Sequence, residues 1–287
     1  MGGRPPAERA DEPSPRTRWS TSAQTIALWT ACTATLRTAA QAYQAQAAGG
    51  TALRLVLLGD SITEQWGGNS MCRSTPKHRS LPAVLLRTLG ALTDVPPLVL
   101  GIGGDQTQHL LWRLQNGELT AAMRSDPTIV YTLLIGTNNL PRGHNSSAAA
   151  AGVLAVARQI LSETKGRILL NALLPRSDAH TKKAWERYMD VVDKKPSFLP
   201  AIDRVNVALR GAAVARGSLA EAFPQRVAYV DCGARFLLPP SIGSAPAVSH
   251  ELMPDRLHPN AAGYSVWAGC MQEGLRAAGW LAVAAQA

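Results

Sequence analysis

Arg54-Leu-Val-Leu-Leu-Gly-Asp-Ser-Ile-Thr63 sets a serine directly behind an apolar run. Leu55 to Leu58 have the length and composition of a buried strand, and Gly59-Asp60 is a turn signal that ends it. Ser61 is therefore expected at a strand's carboxyl end. In open α/β sheets ligands bind in the crevice outside those ends, so its hydroxyl should meet substrate and not the core.

Outward from this stretch, strand and helix patterns alternate. Leu98-Val99-Leu100 reads as a second strand, closed by Gly101-Ile102-Gly103-Gly104-Asp105, and Ile129 to Ile135 as a third, ending in Gly136-Thr137-Asn138-Asn139. Ile168 to Leu174 and Arg226 to Val230 complete a set of five. Helical spacing fills the intervals: Leu81 to Leu92, then Leu110, Leu111 and Leu114, then Val153, Val156, Ile160 and Leu161, then Ile202, Val205 and Leu209. A last helix should begin after Pro259 and run to about Ala278. Upstream, Ser20 to about Ala48 lacks Pro and Gly and spaces Ile26, Trp29, Leu36 and Tyr43 along one helix face. This alternation predicts an α/β fold, a parallel sheet with helices on both faces and right-handed crossovers.

The expected organisation is a main domain over 53–287, a helical lead-in over 19–52, and a disordered extension over 1–18, where prolines and polar breakers crowd out periodicity. Ser177 to Pro200, with Lys182-Lys183 and Lys194-Lys195 around a helical stretch, reads as a surface insertion with a solvated charged face. Acidic Glu8, Asp11 and Glu12 argue against a transit peptide.

Apolar residues make up 46% of the 287, enough for a real core. The net charge of +9 is scattered, with no arginine-rich tract and no aromatic ladder, so nucleic acid is not an expected partner. No run reaches the roughly 18 apolar residues of a stable membrane span. Cys32, Cys72, Cys232 and Cys270 form no CxxC pair, which argues against a zinc ribbon or thioredoxin-like motif. They read as small core hydrophobes, two disulfides being open to a secreted chain. Compartment is not specified. Asn145-Ser146-Ser147 is a glycosylation sequon that matters only in a secretory setting.

A serine hydroxyl needs a base to take its proton, and the base needs an orienting group. Asp255-Arg-Leu-His258, in a loop stiffened by Pro254 and Pro259, supplies both. His258 Nε2 is expected to face Ser61 Oγ, with Asp255 on Nδ1. For the oxyanion of acyl transfer, the candidate donors are the Ser61 and Gly104 backbone N–H groups and the Asn138 amide, each at a different strand end. Asp60 and Asp105 are expected to hydrogen-bond the loops, and His109 to pack. His78, His144, His180 and His250 show no metal-ligand spacing. Trp66 is the best candidate for touching an acyl or leaving group, ahead of Trp112 and Trp267.

Gly59-Asp60-Ser61, the glycine of the second block, Gly136-Thr137-Asn138-Asn139 and Asp255-x-x-His258 stand in the order that marks the SGNH (GDSL-type) hydrolases, which this chain resembles over roughly residues 53–280. Gly101 to Leu119 and Leu173-Leu174-Pro175-Arg176 resemble the catalytic subunits of platelet-activating factor acetylhydrolase Ib almost residue for residue. The resemblance implies a flavodoxin-like three-layer α/β/α sandwich with a five-stranded parallel sheet in the order 2-1-3-4-5. It implies Ser61, Asp255 and His258 as catalytic residues, Ser61, Gly104 and Asn138 as the oxyanion hole, and ester cleavage without metal or organic cofactor. The chain departs from those relatives in the Ser177 insertion, a longer loop over Gly67 to Arg79, and His258-Pro259-Asn260.

The resulting expectation is a serine esterase acting on a small-molecule ester, an acetylated lipid or sugar, by way of an acyl-enzyme. Its rivals are a carbohydrate O-acetyl esterase, a catalytically idle interaction protein on the same fold, and, least supported by the residues, a metal-dependent phosphoesterase. A homodimer is left open.

Overall fold

The computed structural model describes residues 8–17, 22–45, 53–177, 197–239 and 246–281. Most of the Ser177 to Pro200 insertion, 178–196, lies outside them.

Five strands form one sheet: β1 (Arg54–Gly59), β2 (Leu98–Gly101), β3 (Ile129–Leu134), β4 (Arg167–Asn171) and β5 (Val227–Val230). All pairings are parallel and the order is β2-β1-β3-β4-β5, as expected. All six residues of β1 and of β3 are buried, which is why Leu55 to Leu58 and most of Ile129 to Leu134 read as apolar runs: helices cover the two faces of a central parallel strand. Register brings three strand ends level, Gly59 pairing with Gly101 on one side and with Leu134 on the other. Asp60-Ser61, Ile102 to Asp105 and Ile135 to Asn139 thus leave the sheet at one edge. β4 stops short of Leu174 because its neighbour β5 ends at Val230, and the Asn206 side chain then takes over, accepting from Leu173 N and donating to its carbonyl.

The α-helices among the described residues are α1 (Ala23–Ala45), α2 (Ser61–Glu64), α3 (Leu81–Arg87), α4 (Thr107–Arg113), α5 (Ala121–Ser125), α6 (Ser146–Glu163), α7 (Leu199–Ala213), α8 (Ser218–Ala222) and α9 (Ala261–Ala277). They pack in two groups, α3 with α9 and α4 with α6 and α7, giving the three-layer α/β/α architecture. The apolar positions expected on α6 and α7 are all buried. On α1 the buried line is Trp29, Cys32, Leu36, Ala40 and Tyr43, and the Tyr43 hydroxyl donates to the Leu55 carbonyl, docking the lead-in helix on β1.

Two expectations are corrected here. Residues 8–17 do not form a disordered extension: Ala10 and Arg16 are buried, Ser14 N donates to the Gln108 carbonyl, and Thr107 Oγ1 donates to the Ala10 carbonyl at 2.6 Å. Irregular backbone gives no periodic signal, so hydrogen bonds to α4 hold what propensity cannot. The cysteines are not free core residues but two disulfides, Cys32–Cys72 joining α1 to the Gly67 to Arg79 loop, and Cys232–Cys270 joining the loop after β5 to α9. That loop carries a short hairpin, Asn69–Ser70 against Arg73–Ser74, and Cys72 sits at its tip.

Candidate active site

Ser61 is the first residue of α2. Asp60 caps that helix, its Oδ1 accepting from Ile62 N at 3.0 Å, while its other oxygen is buried without a partner. Burial pushes the Asp60 carboxyl up to about 7. Asp60 therefore shapes the turn, as the sequence suggested.

Ser61 Oγ lies 2.9 Å from His258 Nε2, and His258 Nδ1 lies 2.8 Å from Asp255 Oδ2. With its proton on Nδ1, the ring donates to Asp255 and presents an acceptor nitrogen to the serine. Asp255 Oδ1 also accepts from the backbone N–H groups of Leu257 and His258. Partial burial works against ionisation of Asp255, yet the ring and backbone donors of His258 hold its carboxyl well below the ordinary carboxylate range. The tight return of the Asp255 to His258 loop requires Arg256 at φ 60°, left-handed and uncommon for a residue with a side chain. Asn260 then caps α9 by accepting from Gly263 N, and the Tyr264 hydroxyl donates to the Ile62 carbonyl at 2.7 Å. The helix after His258 is thereby bolted to the helix that starts with Ser61.

The Ser61 and Gly104 N–H groups have no hydrogen-bond partner among the described residues. Asn138 donates one amide hydrogen to the Asp105 carbonyl at 2.9 Å, which leaves the other for a ligand. Gly104 is exposed at φ 77°, where an L side chain would be strained, and a Cβ on Gly103 would stand 3.8 Å from that of Ser61. The second-block loop therefore runs directly beside the serine.

What fixes that loop was not legible in the motifs. Buried Glu64, on α2 itself, accepts from Gly103 N and Cys72 N, each at 2.7 Å. Desolvation raises its carboxyl, against the pull of these two donors. Asp105, wholly buried, accepts from Arg16, from Trp29 Nε1 at 2.8 Å and from Arg113 at 2.7 Å, and Arg113 is paired on its other side with buried Glu118. Asn139 ties the third block to α4, accepting from Thr107 N and donating to Thr107 Oγ1 and Gln108 Oε1. Arg176 donates to the Thr137 carbonyl, which accounts for the arginine that closes the Leu173 to Arg176 motif. His109 packs edge-on against Trp29 and accepts from Gln106 N.

Trp66 is corrected: it does not line the cavity beside His258 and Asp255. Its ring is fully buried, stacked on Trp267 at 5.7 Å and edge-on to Tyr264 at 4.5 Å, because the turn after α2 directs it into the layer under α9. Cys32, Cys72 and Glu64 bring potential metal ligands within 4.8 Å of one another, but the sulfurs are bonded to each other and both carboxylate oxygens hold N–H groups, so they do not fit a cation. A cavity of about 370 Å³ adjoins His258 and Asp255, lined further by Gln65, Lys77, Ser80 and Asn260. A larger one, about 770 Å³, lies at the opposite ends of β4 and β5, remote from Ser61, and has no part in this chemistry.

Residues 57–266 match the GDSL-like Lipase/Acylhydrolase family, and the chain belongs to that family of carboxylic ester hydrolases. Among curated relatives it is similar to the platelet-activating factor acetylhydrolase IB subunit alpha1 of Bos taurus, 43% identical over 81 residues, covering 28% of this chain and 32% of that one. The counterpart from Pongo abelii is 32% identical over 170 residues, 58% of each chain. The matches thus span about a third to three fifths of these relatives. Among solved structures, a GDSL-like lipase from Bacteroides thetaiotaomicron aligns with TM-score 0.55 and 18% identity over 84% of this chain and 98% of its own. A putative platelet activating factor from Streptococcus pneumonia aligns with TM-score 0.55 and 19% identity over 88% and 99%. At such identities the structural likeness speaks for the fold.

Proposed function

We propose that the chain is a serine esterase hydrolysing short acyl esters, acetyl esters foremost, with Ser61 as nucleophile, His258 as general base and acid, and Asp255 as the group that orients the imidazole. The observation that carries this reading is the unbroken hydrogen-bond chain from Ser61 Oγ through His258 to Asp255, at 2.9 and 2.8 Å. Ser61 Oγ attacks the ester carbonyl carbon while its proton passes to His258 Nε2, and Asp255 stabilises the imidazolium. The carbonyl electrons move to oxygen, where the Ser61 and Gly104 N–H groups and the Asn138 amide receive the charge. Collapse expels the alcohol with the His258 proton, leaving an acyl-serine. Water, deprotonated by the same nitrogen, attacks that ester, and breakdown releases the acid and restores Ser61.

A second reading, deacetylation of a carbohydrate, is favoured by the cavity beside His258. Lys77, Ser80, Gln65 and Asn260 place hydrogen-bonding groups for a hydroxyl-bearing alcohol among the apolar walls formed by Leu81, Pro254, Pro259 and Ala261. An idle interaction protein has no physical use for an aligned serine, imidazole and carboxylate. The test is release of p-nitrophenol from acetate and longer-chain esters. Hydrolysis should favour acetate and fall by at least about 10³-fold in Ser61→Ala; turnover unchanged in that variant would overturn the reading. A panel of acetylated sugars against acetylated lipids separates the two substrates.

A further inference from the structure

The segment 8–17 lies outside the family-matched region, yet it places one arginine against the proposed oxyanion hole. The Arg16 side chain is only 6% exposed. Its Nε and Nη2 donate to Asp105 Oδ1 at 3.2 and 2.8 Å, and Nη2 also donates to the Gly103 carbonyl. Trp29, whose ring lies 5.9 Å below the guanidinium, donates to the same Asp105 oxygen. The Cβ position of Gly104 is 3.4 Å from Nη2. Arg16 therefore grips the chain on both sides of Gly104.

The consequence follows from the planar peptide. Gly103 C=O and Gly104 N–H belong to one trans unit, so they point in opposite directions. A carbonyl drawn toward Arg16 turns the Gly104 N–H away from it, to the side left without a protein partner. A cationic donor on that carbonyl also polarises the amide and strengthens its N–H as a donor. The other contact, to Asp105, steadies the residue whose carbonyl holds Asn138. We infer that Arg16 is a positioning residue of the oxyanion hole, aiming and polarising the Gly104 N–H and, through Asp105, steadying Asn138. The inference rests on the esterase reading above and extends the reactive centre to a part of the chain that the family motifs do not reach.

A purely structural salt bridge would anchor 8–17 and do nothing else. The two roles part in steady-state kinetics on p-nitrophenyl acetate with the full chain, normalised to active sites by titration. Arg16→Ala should lower kcat by about 10- to 100-fold, approaching the loss typical of one missing oxyanion donor, with KM changed less than about 2-fold. Guanidinium at non-denaturing concentration should restore part of that kcat. Arg16→Lys, which keeps the charge but cannot span both acceptors, should fold and give an intermediate kcat. Glu8→Gln loosens the same segment at its contacts with His109, Gln108 and Thr17 and should reduce thermal stability while leaving kcat as it is. The proposal is overturned if both Arg16 variants keep wild-type kcat and lose only stability, if the change falls on KM alone, or if Glu8→Gln lowers kcat as much as Arg16→Ala. Ser61→Ala run in parallel keeps the two claims apart, since activity surviving there rejects the esterase reading whatever Arg16 does.

Discussion

Removing the Cys32–Cys72 bridge in a Cys32→Ala/Cys72→Ala variant tests how the loop beside the serine is held. The bond closes a loop of 40 residues. In the chain-entropy account such a loop is worth about 4 kcal/mol through the unfolded state, at the upper end of what single disulfides deliver. For a chain of this size each kcal/mol moves the midpoint by about 2 to 4 °C, so the Tm should fall by about 8 to 16 °C. The native state should also respond. Cys72 N–H and Gly103 N–H share the Glu64 carboxylate, so freeing the hairpin slackens the loop before Gly104 and should lower kcat a few-fold. Circular dichroism melts, calorimetry and p-nitrophenyl acetate turnover measure both effects. A midpoint within about 2 °C of wild type would refute the stabilising role, and an unchanged kcat would refute the coupling to the loop.

Two further outcomes are expected. Asn138→Ala should reduce kcat by about 10²-fold or more with little change in KM, read from the same assay. Burial raises the Asp60 carboxyl to about 7, so between its ordinary value near 4 and pH 7 the unfolded chain gives up a proton that the folded chain keeps. Stability must then fall as pH rises through that window, and denaturant midpoints of Asp60→Asn should show a flatter pH dependence there than wild type.

The sheet was legible because central parallel strands must be apolar on both faces, and β1 and β3 are read directly from Leu55 to Leu58 and Ile129 to Leu134. Ser61, Gly104 and Asn138 were legible because each follows a strand end and parallel register brings those ends together, whereas Asp255 and His258 were legible from their spacing ahead of the last helix. The supports were not. Glu64 reads as an ordinary surface acid until α2 is seen to turn it inward, and Arg16 sits among prolines that suggest no structure at all. Trp66 misled because proximity in sequence to Ser61 says nothing about which way a ring points after one turn of helix. The cysteines lie 40 and 38 residues apart, and separation alone does not say which of them meet.

The bond from the Tyr264 hydroxyl to the Ile62 carbonyl spans 202 residues, and the one from Ser61 to His258 spans 197. A growing chain therefore carries Ser61 long before it owns His258. On the proposed mechanism, until the last helix emerges from the ribosome and closes on α2, the serine is an ordinary alcohol, and the polypeptide passes through most of its synthesis chemically silent. On that mechanism, truncation between Val230 and His258 would leave a protein with all five strands of its sheet and none of its reactivity.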